Sequence, residues 1–315
     1  MVINGTRQNF KDENGKISTL HTQDGTIQPD EKDFSISRSN WREKTIPRQT
    51  RVITISSGKG GVGKTNIAVN LAIALRKFRK SVMILDADLG LANVDVLLGL
   101  APKHNLYHVF TGEKKLNEII LKGPAGILIL PASSGIESMT NLNTSQKICF
   151  LDQIGTLPED IDYFIIDTSA GISSNVIYFN ISSQMNIIVL TPEPTSLTDA
   201  YALIKVLSSN YNLKNFDILF NLVKSPEEAK EVYEHLTLVT DKFLSVKLSF
   251  LGSLLFDSNL KRAVLKQKPV LIEYPDSPIV KDFLTLAKQI CSFPDESFRE
   301  GSLKLFWDKF FSVQQ

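Results

Sequence analysis

Apolar and polar positions follow two periods along most of the chain. From Arg51 onward, the short apolar runs "RVITIS", "SVMILDAD", "GILILPA", "YFIIDTSAG", "MNIIVLTPEP" and "FDILFNLV" are each bounded by turn residues and predict buried strands. Most are followed by helical spacing, first in "NIAVNLAIALRKF". This alternation predicts βαβ units. The fold class is therefore α/β, a mostly parallel twisted sheet flanked by helices on both faces. Ligands of such sheets sit at the C-terminal ends of the strands.

The two ends of the chain break the pattern. Residues 1–50 are polar, mixed in charge and without either period, which predicts a disordered arm, with Phe34–Trp41 as a lesser candidate for a partner-binding segment. After Pro294 comes "GSLKLFWDKFFSVQQ", where Leu303, Phe306, Trp307, Phe310 and Phe311 recur at i, i+3, i+4, i+7 and i+8. Lys304, Asp308 and Lys309 fall on the opposite face, so an amphipathic helix is predicted. The chain is thus read as an arm over 1–50, a domain over 51–292 and a terminal helix over 293–315.

Composition narrows the classes. With 315 residues, 43% hydrophobic and 22% charged, the chain suits an ordinary globular protein with a sizeable core. A net charge of +1 argues against a generally basic nucleic-acid binder. Cys149 and Cys291 are far apart and form no CxxC pair, which suits reduced thiols and disfavours a redox or iron–sulfur role. The start "MVINGTRQNFKDENGK" has no apolar h-region, and no apolar run approaches the roughly 18 residues of a membrane span, so a cytosolic protein is expected. His104 and His108 lie at i, i+4 without a third ligand nearby and are read as packing or surface histidines.

Candidate chemistry concentrates at three strand ends. Gly58 to Thr65, "GKGGVGKT", matches GxxxxGK[ST] between the strand Val52–Ile55 and the helix opening near Asn66. This is a P-loop. Glycines at 58, 60, 61 and 63 let backbone N–H groups turn inward around phosphate oxygens, Val62 and Asn66 complete the cradle, and the helix N-terminus adds positive partial charge. Lys64 can reach the β- and γ-phosphates, and the Thr65 hydroxyl is a Mg²⁺ ligand. A nucleoside triphosphate and Mg²⁺ are therefore the expected ligands, and ATP is the nucleotide that the resemblance described next implies. Asp167 ends the strand of "YFIIDTSAG" and suits a metal-holding role, while Asp86 and Asp88 end another strand, at least one of them belonging to the site.

Lys59, directly after the first glycine, makes "KGGVGKT" resemble the deviant Walker A motif of the MinD/ParA class of ATPases over about Arg51 to Ile290. That resemblance implies an ATP-dependent homodimer sandwiching two ATP molecules. It makes Lys59 the lysine that reaches the partner's phosphates, Asp88 the residue orienting the hydrolytic water, Asp86 a neighbour of Mg²⁺ and Asp167 the Walker-B acid. It also implies adenine contacts from Asn221 and from the segment Glu273 to Pro278.

Within the class, "TPEPTSLTDAYALIKVL", "DADLGLANVDVLLGL", "ILILPASSG", "DTSAGIS" and "FDSNLKRAVLKQKPVLIEYPDSP" resemble the flagellar number regulators of the FlhG/FleN family. The resemblance implies control of flagellar number or placement. Implied partners are a FlhF-type GTPase, a flagellar transcription regulator or C-ring components. The DQAxxLR motif of members that stimulate the GTPase is missing from Met1 to Arg51, so stimulation through the arm is not expected. The Leu303–Phe311 face implies attachment of the ATP-bound dimer to an anionic cytoplasmic membrane surface. The competing expectation is that this face packs on the protein's own core, docked in one nucleotide state and released in another. A MinD-type division-site or ParA-type partition ATPase is the alternative function. A partition ATPase predicts an exposed basic stripe rather than an apolar tail, so no specific DNA binding is expected.

Overall fold

The computed structural model describes residues 8–11, 17–20, 50–88, 93–132, 142–155, 157, 161–294 and 302–313. The chain divides into two units, Met1–Ile46 and Pro47–Gln315. In the first, β1 (Gln8–Lys11) and β2 (Ile17–Leu20) pair antiparallel, with Gln8 opposite Leu20 and Lys11 opposite Ile17. This short ladder lies within the segment that the sequence reads as a mostly disordered arm. Its polar residues carry no clear alternation, and the readable signal in the sequence is the dipeptide Asn-Gly at 14–15, a type favoured in hairpin connections. Phe34–Trp41 lies outside the described residues.

The second unit starts with β3 (Arg51–Ser57), α1 (Lys64–Lys77), β4 (Val82–Ala87), α2 (Val94–Leu97), α3 (Leu106–Phe110), α4 (Leu116–Ile119), β5 (Leu121–Lys122) and β6 (Leu128–Pro131). It continues through α5 (Thr144–Gly155), β7 (Tyr163–Ala170), α6 (Ser174–Ser182), β8 (Met185–Leu190), α7 (Pro194–Tyr211) and β9 (Asn215–Val223). It closes with α8 (Pro226–Phe243), β10 (Lys247–Leu255), α9 (Ser258–Leu265), α10 (Val270–Glu273), α11 (Pro278–Ser292) and α12 (Leu303–Val313).

Eight strands form one sheet in the order β10-β9-β8-β3-β7-β4-β6-β5, parallel except for β5 on β6. Every residue of β3 and β4 is buried, as continuous apolar runs in a sheet covered on both faces require. The sheet thus carries β3 at its centre, and the loop after it opens between neighbours on either side. All six predicted strands are present. β10 escaped the periodicity because it is a half-buried edge, and Gly252, at φ 146°, interrupts it at a register shift.

Successive residues of β3 serve opposite faces. Ile53 and Ile55 join the core under α1 and α11, whereas Val52 joins the core formed with Phe164, Ile166 and Phe179. α12 covers this second core. Leu303, Phe306, Trp307, Phe310 and Phe311 are all buried, Trp307 completely. Phe310 stacks on Phe179 with ring centroids 4.7 Å apart, and Trp307 meets the Phe150 ring edge-on at 5.1 Å. Lys304, Asp308 and Lys309 remain exposed. The predicted amphipathic face is therefore present, but in this conformation it is part of the protein's own core and not open to a bilayer. Spacing locates an apolar face without saying what covers it. Among the described residues no helix is long and apolar enough to cross a membrane.

Candidate nucleotide site

The buried β3 delivers the chain into the loop of Gly58 to Gly63, and α1 starts at Lys64. Two glycines here are sterically required. A Cβ on Gly58 would collide with the backbone of Asp199, and Gly63 combines φ 96° with the close approach of the Asn221 amide. Gly63 is also the N-cap of α1 and supplies no side-chain cap, so first-turn N–H groups are left for an anion. The loop borders a cavity of about 430 Å³ whose lining includes Gly61, Lys64, Thr65, Asn66, Asp88 and Asn93.

The two lysines of the loop have different fates. Lys64 is buried, and its Nζ donates to Ser57 Oγ at 2.9 Å. Burial lowers its pKa, while the charges of Asp167 and Asp88 pull it back up. Lys59 turns away from the cradle. Its Nζ donates to Glu193 Oε2 at 2.5 Å and to Thr195 Oγ1 at 2.9 Å, at the start of α7. The backbone of Lys59 is tied in as well, its carbonyl accepting from Ser57 Oγ at 2.7 Å.

The carboxylates converge because β7 lies between β3 and β4. Asp167 is the Cα partner of Ile55 on one side and of Asp86 on the other. Asp86 is buried and accepts the N–H groups of Asn93 and Val94, both at 3.0 Å, thereby fixing the start of α2. Burial raises its pKa to about 6 against these bonds. Asp88, half-buried at the cavity, accepts from Asn93 Nδ2 at 3.2 Å. Asp167 is fully buried, and neither of its oxygens has a hydrogen-bond partner. Burial raises Asp167 to about 7, opposed by the Thr65 hydroxyl, with Asp86 adding to the rise and Lys64 opposing it.

An orphaned, buried carboxylate beside a threonine hydroxyl fits a magnesium ion. Its bound waters would satisfy Asp167, and Thr65 would ligate it directly. Among the described residues no three His, Cys, Asp or Glu gather into a metal cage. The ion would therefore depend on substrate phosphates, as Mg²⁺ commonly does.

The two segments expected at the adenine are each tied to protein partners. Asn221 Nδ2 donates to the carbonyl of Val62 at 2.7 Å, propping the phosphate loop, while its Oδ1 is buried without a partner. In the second segment, Glu273 pairs with Lys266 at 2.7 Å and Lys268 at 3.2 Å, and Ser277 bonds Asp257. That segment locks α9, α10 and α11 together and does not line the cavity. Sequence reasoning missed Ser57, Glu193, Thr195 and Asn93. For Glu193 and Thr195 the one readable signal was the polar strand end "TPEPT".

The sequence matches the AAA domain family over residues 50–220. The antiactivator FleN of Pseudomonas aeruginosa is 42% identical over 259 residues, 82% of this chain and 92% of that protein. The flagellum site-determining protein YlxH of Helicobacter pylori is 41% identical, covering 70% of this chain and 74% of its own length. The septum site-determining protein MinD of Pyrococcus horikoshii, solved with Mg-ADP, superposes with a TM-score of 0.60 at 26% identity, over 77% of this chain and 96% of that one.

Proposed function

The chain belongs to the MinD/ParA family of P-loop ATPases, in its FleN-like branch, and on that footing we propose that it is an ATP-hydrolysing dimeric switch regulating flagellar number or placement. The observation that carries the dimer is the split between the lysines: Lys64 occupies the cradle, and Lys59 is held out of it by Glu193 and Thr195.

The N–H groups of the loop and of α1 bind the β- and γ-phosphates, and Lys64, poorly solvated and flanked by carboxylates, gains an anion it lacks in the free state. Mg²⁺, when bound, neutralises charge on the phosphate oxygens. Thr65, with Asp167 and Asp86 behind it, is the part of the chain that would hold the ion. Asp88, at the cavity, orients the attacking water. Lys59 of a second subunit supplies positive charge to the γ-phosphate from across the interface. Size-exclusion chromatography in ATP tests this. Dimerisation of wild type that Lys59→Ala abolishes is expected, and a dimeric Lys59→Ala protein refutes the role across the interface.

We also propose that α12 is the membrane anchor of the ATP state, at the inner face of the cytoplasmic membrane. Burying each of its five apolar side chains is worth about 1.5–3 kcal/mol, so release into water is prohibitive. Transfer into a bilayer reburies the same face, and the exchange can be nearly balanced. The buried Trp307 Nε1 has no partner, which weakens the docked state. A dimer presents two such helices, multiplying the affinity of a weak anchor. Vesicle flotation in ATP and in ADP is the test, and equal behaviour in both refutes nucleotide control. A FlhF-type GTPase or a flagellar transcription regulator is the proposed downstream partner.

A further inference from the structure

α1 ends in Arg76 and Lys77, and the chain turns through Phe78, Arg79 and Lys80 before β4. The turn is fixed by its own backbone. Phe78 N–H donates to Leu75 O and Arg79 N–H to Arg76 O, both at 2.9 Å. The Arg76 guanidinium donates to Lys80 O at 3.1 Å and to Ala125 O at 3.2 Å. Arg76 is thus consumed as a brace. Lys77, Phe78 and Arg79 are exposed, Phe78 by 38%. No carboxylate among the described residues pairs with Lys77, Arg79 or Lys80. A helix C-terminus favours cations within its last turn, and here the exposed Phe78 stands between two pairs of basic residues.

The position of the turn is specific. Val82, Tyr163 and Arg51 form one row at the N-terminal ends of three adjacent strands, the edge opposite the phosphate loop. Arg51 donates to Tyr163 Oη at 3.2 Å, to Ile290 O at 3.3 Å and to Phe293 O at 3.0 Å, pinning the end of α11 to that row. On the other face of the sheet, Ser302, Leu305, Phe306 and Lys309 adjoin Val52 and Gln184 at the same edge. The basic turn and both ends of the connection to α12 therefore share one edge.

We propose that the Lys77–Lys80 turn is a second membrane contact, a basic and aromatic patch that docks on an anionic phospholipid surface beside the released α12; this rests on the membrane reading above. One short helix with Lys304 and Lys309 set against Asp308 is a marginal anchor. A polybasic patch at the root of such an anchor is the second signal that stable attachment requires. Each cation near an anionic leaflet raises partitioning roughly fivefold. Exposed Phe78 suits the headgroup boundary, and this edge meets a bilayer with the nucleotide face left free. Duplex DNA fits less well, because the patch surrounds an aromatic ring and adjoins an apolar helix.

The test is flotation of full-length protein with ATP on vesicles of phosphatidylcholine alone and of phosphatidylcholine with phosphatidylglycerol. Wild type is compared with a triple variant, Lys77→Gln, Arg79→Gln and Lys80→Gln, and with a charge-matched control, Lys214→Gln, Lys230→Gln and Lys242→Gln. The first triple variant is expected to lose at least about tenfold in binding to the anionic vesicles, with ATP hydrolysis, thermal stability and binding to neutral vesicles unchanged and the control behaving as wild type. Wild-type-like binding by that variant overturns the proposal and leaves the α12 anchor standing. Wild type that binds no vesicle overturns both. A charge-dependent DNA complex lost in the same variant reassigns the patch to nucleic acid and overturns it as well.

Discussion

Asp86 on β4 and Asp167 on β7 are direct cross-strand partners, two buried carboxylates on one row beside the phosphate loop. Like charges directly opposite destabilise a sheet. Burial is the main cause that raises Asp86 to about 6 and Asp167 to about 7, with the Asp95 charge adding to the first and the Asp86 charge to the second.

That relationship fixes a pH dependence. Both carboxyls have folded pKa values above the unfolded value of 3.8, so the folded state binds more protons between about pH 4 and about pH 7. Their stabilisation is present at the acid end of that window and is lost as pH rises through about 7. The nucleotide-free protein should therefore melt at a lower temperature at pH 7.5 than at pH 5.5 as far as this pair is concerned. Asp167→Asn should flatten the slope and raise the melting temperature at neutral pH while abolishing ATP hydrolysis. A steeper fall in stability with pH in Asp167→Asn would contradict the assignment; scanning calorimetry across pH reads it.

Asp88 should matter for turnover rather than for binding. Asp88→Ala is expected to retain ATP and accumulate the dimer while hydrolysis falls by about 10²–10⁴-fold, the range for loss of a group that positions or activates a nucleophile. Nucleotide affinity by calorimetry, set against phosphate release, separates the two.

The docked α12 should be a stability element as well as an anchor. Phe310→Ala removes a ring stacked on Phe179 and should cost about 3–5 kcal/mol of unfolding free energy, read from denaturant melts. Trp307→Phe removes an indole N–H that has no partner and should cost far less. Because Trp307 is fully buried here, its fluorescence should change when vesicles are added with ATP and remain unchanged with ADP.

The strands of the second unit were legible because a sheet covered on both faces demands unbroken apolar runs, and six of them stand out. β10 was hidden by its half-exposed edge position and Gly252, and β5 by its length of two residues. The phosphate loop was fully legible, since its chemistry is local. The Asp86–Asp167 pairing was not, because it depends on β7 lying between β3 and β4. The clamp from Lys59 to Glu193 spans 134 residues and leaves no periodic trace. The bond from Asn221 to the Val62 carbonyl of the loop spans 159 residues and leaves no trace in the sequence pattern. For α12, spacing predicted the face, and only the fold revealed that Phe150, Phe164 and Phe179 already cover it.

The proposed role of Lys59 across a dimer interface is the centre of this account, and a mixing experiment tests it most directly. Lys59→Ala and Asp88→Ala proteins are each expected to be nearly inactive alone. In a mixed dimer, the site of the Lys59→Ala subunit keeps its own Asp88 and receives Lys59 from its partner. ATP hydrolysis in the mixture should therefore rise well above the sum of the two separate proteins. Activity no greater than that sum, with mixed dimers shown to be present, would mean that Lys59 acts within its own subunit and would contradict the account.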